Sequence, residues 1–184
     1  VGVLVLRVAG GDRAAFGALV TDTRTPLFRY LRGLVRSDEV AEDALQETFV
    51  AVWRGAGAWR GESSGRVWLF GIARRLAARS WRRRSGEPDE AVPLEALGAE
   101  AGFGSDDPEV SLASVRDVRR VHAALDTLSD VDREVVTLRD LDGFSGPEVA
   151  ELLELPLANV KTRLHRARLR LLAALRANGG ADVH

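Results

Sequence analysis

The sequence predicts an all-α protein made of two small helical domains joined by a flexible acidic linker, the second domain ending in a helix-turn-helix. Three observations carry that expectation. Apolar residues recur at intervals of three and four rather than alternating, which is the spacing of a helix face and not of a strand. Gly and Pro gather between the periodic stretches, where they punctuate elements. Charge is segregated into blocks although the formal total is only −1. Arg74, Arg75, Arg79, Arg82, Arg83 and Arg84 follow one another without an acid, as do Lys161, Arg163, Arg166, Arg168, Arg170 and Arg176. The acids Glu87 to Glu109 between them face no base, and such blocks say more about partners than the sum does.

A chain of 184 residues is long enough for two such domains, each relying on compact helix packing. The apolar start, Val1 to Val8, is far shorter than a membrane span and lacks the charged flank and cleavage pattern of a signal peptide. The protein is therefore expected in the cytoplasm. A first domain over 10–84 is expected to hold helices near Asp12 to Thr21, Thr25 to Arg36, Asp38 to Arg54 and Gly65 to Arg84, packed as a small bundle.

In the third of these helices, Val40, Ala44 and Val52 fall on one face, with Leu45, Phe49 and Trp53 as further candidates for burial. Asp38, Glu39, Glu42, Asp43, Gln46 and Glu47 are left mostly outside. Acids near a helix N-terminus are commonly a solvated face favoured by the macrodipole. A carboxylate metal site would want Glu-x-x-His pairs, and no His lies in this half. The loop Trp59-Arg60-Gly61-Glu62-Ser63-Ser64-Gly65-Arg66 follows, polar and bounded by aromatics. The next helix is expected to bury Trp68, Leu69, Ile72 and Leu76 and to set Arg75, Arg79 and Arg82 along one edge. Arginines beside Trp59 and Trp81 suit phosphate contact with base stacking on an opened strand, although Trp59 and Trp68 also suit an ordinary core.

The linker is placed at 85–113. Its Ser85 to Asp107 stretch holds Pro88, Pro93, several Gly and mostly acids, too little apolar surface to offset the entropy of ordering. The second domain, 114–178, opens with Val118, Val121, Leu125 and Leu128 on one face of a helix ending near Ser129. Helices near Asp130 to Leu141, Gly146 to Leu153 and Leu157 to Ala177 follow.

Ser145-Gly146-Pro147-Glu148 has the Ser-x-x-Glu form of a capping box with Pro in the first turn, so a short helix starts there. It stops by Glu154-Leu155-Pro156, because Pro biases its predecessor away from helical angles. Two helices with so tight a corner suggest a helix-turn-helix whose second member enters the major groove. At 3.6 residues per turn, Val160, Leu164, Ala167 and Leu171 form its narrow apolar stripe. Thr162, His165 and Arg166 lie opposite, flanked by Lys161 and Arg168 on one edge and by Arg163 and Arg170 on the other. A hydrogen-bonding centre with cationic rims is what groove readout between two phosphate backbones requires. The competing explanation is a solvated basic face on a surface helix. Leu169 also points outward, as a partner contact would.

With no Cys the chain forms neither a disulfide nor a thiolate metal site. His122, His165 and His184 are too scattered for a zinc constellation. No cofactor is expected. A hydrolase using the acids of the third helix lacks a nucleophile–base pair and a complete ligand set. A DNA-binding regulator using only the helix-turn-helix leaves the first half unexplained, and a structural adaptor leaves the Arg blocks unexplained.

Taken together, these segments resemble the extracytoplasmic-function sigma factors of bacterial RNA polymerase, and the resemblance runs over most of the chain. Asp43-Ala44-Leu45-Gln46-Glu47-Thr48-Phe49 resembles the family's polymerase-binding helix. Trp59-Arg60-Gly61-Glu62 with Trp68-Leu69-Phe70-Gly71-Ile72-Ala73 resembles the loop and helix that open and read the minus-ten element. Leu155-Pro156 with Val160 to Arg168 is similar to the minus-thirty-five recognition helix.

The resemblance implies a non-enzymatic protein that directs core polymerase to promoters. It implies that Asp43, Gln46 and Glu47 contact the clamp helices of the largest subunit, and that the second domain meets the flap of the second-largest. Trp59, Arg60, Gly61, Glu62 and Ser63, with Arg75, Arg79 and Arg82, would serve minus-ten DNA, the stretch from Arg60 to Gly65 shaping a pocket for a flipped base. Asn159, Lys161, Thr162, Arg163, His165, Arg166, Arg168 and Arg170 would serve minus-thirty-five DNA. An anti-sigma partner, tethered to a membrane in part of the family, is implied as well. Arg75 stands where many relatives carry Asn, and Glu154 where many carry Gly.

Overall fold

A computed structural model describes residues 1–84, 121 and 123–179, and every described element is helical. The expected linker, the first part of the helix expected ahead of Ser129, and His122 and His184 lie outside the described residues. In chain order the helices are α1 (Gly2–Ala9), α2 (Arg13–Val35), α3 (Asp38–Gly55), α4 (Gly65–Arg84), α5 (Asp130–Val136), α6 (Gly146–Leu153) and α7 (Leu157–Gly179). A 3₁₀ turn, Ala56–Ala58, follows α3, and a π turn, Thr137–Leu141, continues α5.

In the first half one element is added and one expectation is corrected. The apolar start is itself a helix, and Val5 and Val8 are buried against the bundle. The two helices expected between Asp12 and Arg36 are one, α2, which runs through Pro26. Proline removes the donor for the carbonyl four residues earlier and disfavours the helical region for its predecessor. Here the buried face of Leu19, Thr23, Leu27, Tyr30 and Leu31 is continuous across that position, and its burial outweighs the local preference. The Thr23 hydroxyl turns inward and donates to the Leu19 carbonyl at 2.6 Å.

Local chemistry ends the helices where the sequence suggests. Asp12 caps α2 by accepting from the Ala15 N–H at 2.9 Å, Ser37 caps α3, and Ser129 caps α5. Each side-chain oxygen satisfies an N–H that the first turn leaves without an intrahelical partner.

The orientation of α4 is a further correction. Leu69 is buried as expected, but Trp68, Ile72 and Leu76 are only half-buried, while Val67, Phe70, Ala73 and Ala77 are fully enclosed. The reason is that α4 packs on two sides. One side meets α2 and α3, and the other meets the second half of the chain. Phe70 lies edge-on to Phe144 with ring centroids 4.9 Å apart, and Tyr30 packs against Phe70 at 5.2 Å. The Arg66 guanidinium stands 4.2 Å above the Phe144 ring in cation–π geometry.

Polar contacts reinforce this seam. Tyr30 donates its hydroxyl to Glu134 Oε1 at 2.5 Å, and Arg74 Nε donates to the same oxygen at 2.9 Å. Burial, with Glu134 alongside, pushes the Tyr30 phenol well above its ordinary pKa. For Arg74 burial works toward a lower pKa, but the attraction of Glu134 prevails and raises it. Arg29 pairs with the enclosed Asp142 carboxylate, and Arg66 donates to the Asp142 carbonyl. Burial lifts the Asp142 carboxyl above its usual range against the opposing pull of Arg29. The two helical units expected from the sequence thus share one packed face among the described residues.

Candidate nucleic-acid interface

The corner between α6 and α7 is built as its sequence suggests. Ser145 Oγ accepts from the Glu148 N–H at 3.3 Å, and Glu148 Oε2 accepts from the Ser145 N–H at 2.8 Å, a complete capping box. Glu154 closes α6 in the left-handed region at φ 56°, ψ 41°, and the Leu155 N–H returns to the Ala150 carbonyl at 2.9 Å. A side chain in that region costs roughly 1 kcal/mol relative to Gly. Glu154→Gly is accordingly expected to stabilise the protein, raising Tm by about 2–4 °C if the whole of that cost is relieved. A thermal melt showing a lower Tm would overturn this account of the corner.

Helix α7 then seats Val160, Leu164 and Ala167 in the core, with Leu171 half-buried. Asn159, Lys161, Thr162, His165 and Arg166 are exposed on the other side, as the periodicity predicts. The Thr162 hydroxyl rests on the Ala158 carbonyl at 3.0 Å. Neither Lys161 nor Arg166 forms an ion pair with another described residue.

The rims differ from a plain row of open cations. Arg163 and Arg170 both reach Asp132, at 2.8 and 3.3 Å, and Arg168 takes Asp140 through two bonds of 2.8 and 2.5 Å. The Asp140 bonds raise the Arg168 pKa further. Sequence reasoning missed Asp132 and Asp140, which stand 31 and 28 residues from Arg163 and Arg168. No spacing rule connects them, and only the packing of α5 on α7 does.

In the first half, Gly61 turns the loop at φ +75°. Arg60, Gly61 and Glu62 are exposed and Ser63 is half-buried. Trp59 is half-buried against Trp68, centroids 6.3 Å apart, and its indole N–H is enclosed without a partner among the described residues. Beneath the loop the chain's own backbones meet: a Cβ on Gly65 would stand 2.7 Å from Gly2 Cα, so α1 closes against the start of α4 because position 65 is glycine. Arg75 and Arg79 are exposed on α4. Arg82 belongs to the same helix, its side chain outside the described residues along with that of Trp81. Ser64 accepts from the Val67 N–H at 3.3 Å and donates to Glu148 at 2.9 Å, joining this loop directly to the capping box of α6. Burial works against the Glu148 charge, but the Ser145 N–H and the hydroxyls of Ser145 and Ser64 hold its pKa below the ordinary value.

On α3, Asp43, Gln46 and Glu47 are exposed, while Ala44, Leu45 and Thr48 lie buried behind them. The same exposed face continues through Val50 and Trp53. Trp53, a candidate for burial in the sequence reading, instead stays partly open beside Phe16 at 5.1 Å. Among the described residues no group of three or more His, Cys, Asp or Glu is placed to hold a metal ion, and no helix is long and apolar enough to cross a membrane.

Comparison with known proteins decides between the readings of this surface. The family described as Sigma-70 region 2 matches residues 19–87, and that described as Sigma-70, region 4 matches residues 118–171. The chain is 33% identical over 173 residues to the ECF RNA polymerase sigma-E factor of Escherichia coli strain K12, covering 90% of this chain and 89% of that one. The chain belongs to the extracytoplasmic-function (ECF) sigma factors. The RNA polymerase sigma-H factor of Pseudomonas aeruginosa is 30% identical over 174 residues, with 90% and 88% covered. Among solved structures, CnrH in complex with the cytosolic domain of CnrY aligns at a TM-score of 0.67 and 28% identity, covering 96% of this chain and 97% of that chain. RpoE in complex with the anti-sigma factor NepR from Bartonella quintana aligns at 0.69 and 26%, covering 88% and 96%. As an ECF sigma factor the protein binds RNA polymerase and directs transcription initiation, using region 2 at the minus-ten element and region 4 at the minus-thirty-five element. It is not an enzyme.

Proposed function

We propose that three surfaces divide the work of this sigma factor in the cytoplasm. Asp43, Gln46 and Glu47 on α3 meet the clamp helices of the polymerase's largest subunit. The loop Trp59 to Ser63, with Arg75, Arg79 and Arg82 of α4, holds the opened minus-ten strand. Asn159, Lys161, Thr162, His165 and Arg166 of α7 read the minus-thirty-five element, flanked by Arg163, Arg168 and Arg170, and region 4 also meets the flap of the second-largest subunit. The single observation that carries this reading is α7 itself: its apolar stripe is buried, and its opposite face leaves Lys161 and Arg166 outside any described ion pair. Because the solved relatives are complexes, one of them with an anti-sigma factor, an anti-sigma partner is proposed for this chain too, membrane-tethered in the manner of part of the family.

The two promoter readers touch through Ser64 and Glu148. Elements centred at −10 and −35 lie about 25 base pairs apart, roughly 85 Å of B-form duplex at 3.4 Å per base pair. The shared face between the two halves must therefore open when both elements are engaged.

The test is multi-round transcription with purified core polymerase on genomic fragments. Defined start sites should appear only when the protein is present, and a transcript pattern unchanged by it would remove the proposal. Within α7, Arg166→Ala should cost about 1–3 kcal/mol at the base it reads and flatten the preference there. Start-site activity against a promoter library measures this, and an equal loss at every sequence would place Arg166 on phosphate instead.

A further inference from the structure

Helix α7 carries its cations in two states. Lys161 and Arg166 form no ion pair with a described residue, whereas Arg163, Arg168 and Arg170 are each held by a carboxylate of the helix behind. The two carboxylates act on opposite rims. Asp132 lies in the first turn of α5, is 6% exposed, and takes Arg163 and Arg170 on one edge. Asp140 lies in the π turn that continues α5 and takes Arg168 bidentately on the other.

We infer that Asp132 and Asp140 are positioning residues for promoter recognition, holding the rim arginines back from phosphate so that base readout by the centre of α7 dominates over sequence-independent attraction. This rests on the reading of α7 as the DNA-facing helix. The physical reason is counterion release. Each cation that neutralises a phosphate adds about 0.9 to the magnitude of the slope of log K against log salt and contributes equally at every sequence. An arginine bound to its own carboxylate gives up that pair before it gains a phosphate, so its net contribution is reduced. Three arginines restrained in this way lower non-specific affinity while leaving Lys161, Thr162, His165 and Arg166 untouched, which raises the ratio of specific to non-specific binding.

The experiment measures binding of the full-length protein to a random-sequence 30-base-pair duplex between about 50 and 200 mM KCl, the range over which phosphate contacts are resolved. Asp140→Asn frees Arg168 from a pair at the surface and keeps the side chain's shape. It should steepen the slope by about 0.9, seen as a roughly 3.5-fold greater loss of affinity across that range. Asp132→Asn should steepen it by about 1.8, a roughly 12-fold greater loss, because two arginines are released. Asp140→Glu should retain the wild-type slope, which a general loosening of region 4 would not produce. A slope unchanged in Asp140→Asn, while Arg166→Ala weakens binding to a promoter duplex bearing the preferred minus-thirty-five element, overturns this inference alone. Binding to that promoter duplex unchanged in both Arg166→Ala and Lys161→Ala overturns the reading of α7 on which it rests.

Discussion

Asp43→Lys combined with Glu47→Lys is expected to lower affinity for core polymerase by more than about a hundredfold, while the helical circular-dichroism spectrum stays unchanged. Both halves of that expectation come from the section of α3. Val40, Ala41, Ala44, Leu45, Thr48 and Val52 face the core and hold the helix in place. Asp43 and Glu47 are exposed one turn apart on the opposite side, where lysine is about as good a helix former as glutamate. At the proposed clamp contact, reversing two charges would turn attraction into like-charge contact, which costs several kcal/mol at a complementary interface, and each 1.4 kcal/mol is a factor of ten. A pull-down or fluorescence titration with core enzyme gives the answer, and retained binding would remove α3 as the polymerase contact.

Phe144→Ala is expected to destabilise the protein by about 3–5 kcal/mol, as large-to-small changes of enclosed aromatics do, lowering Tm by roughly 6–20 °C at 2–4 °C per kcal/mol. The ring is fully buried, edge-on to Phe70 and beneath the Arg66 guanidinium. Its backbone is fixed independently: its N–H donates to the Leu138 carbonyl at 2.8 Å, and its carbonyl accepts from Arg139. Truncation therefore leaves a void with little freedom to collapse. Because the void opens between the two halves, the loss should be accompanied by a larger radius of gyration in small-angle scattering, the halves parting before either unfolds. A melt within about 0.5 kcal/mol of wild type, where changes at surface positions fall, would mean that the shared face contributes little.

That face explains why sequence reasoning placed some residues correctly and others not. The stripe Val160, Leu164 and Ala167 was legible because α7 buries one side only, and a single period of 3.6 then describes the helix. The capping box at Ser145 and Glu148 and the stop at Glu154 were legible because their causes lie within four residues of their effects. Helix α4 was misjudged because Phe70 and Arg66 are claimed by a second surface from more than 70 residues away. The division of α2 between Thr21 and Thr25 failed for a related reason: a local preference lost to a buried face extending beyond it on both sides. Val50 and Trp53, exposed in line with the α3 acids, could have been flagged only by helical projection from Gln46, since apolar residues by default are assigned inward.

What the amino-acid sequence determined by itself was the all-helical class, the tight corner before α7 and the exposed residues along it. Each of these follows from periodicity, capping or backbone preference, forces that act over a few residues. The tertiary structure alone decided that Glu134 accepts from both Tyr30 and Arg74, and that Ser64 of the loop before α4 rests on Glu148. It alone decided that Asp132 and Asp140 hold three arginines of the recognition helix. The partners in these contacts are separated by 28 to 104 residues, a separation that only packing closes, because side-chain charge attracts across space and carries no mark in the sequence of which opposite charge it will meet.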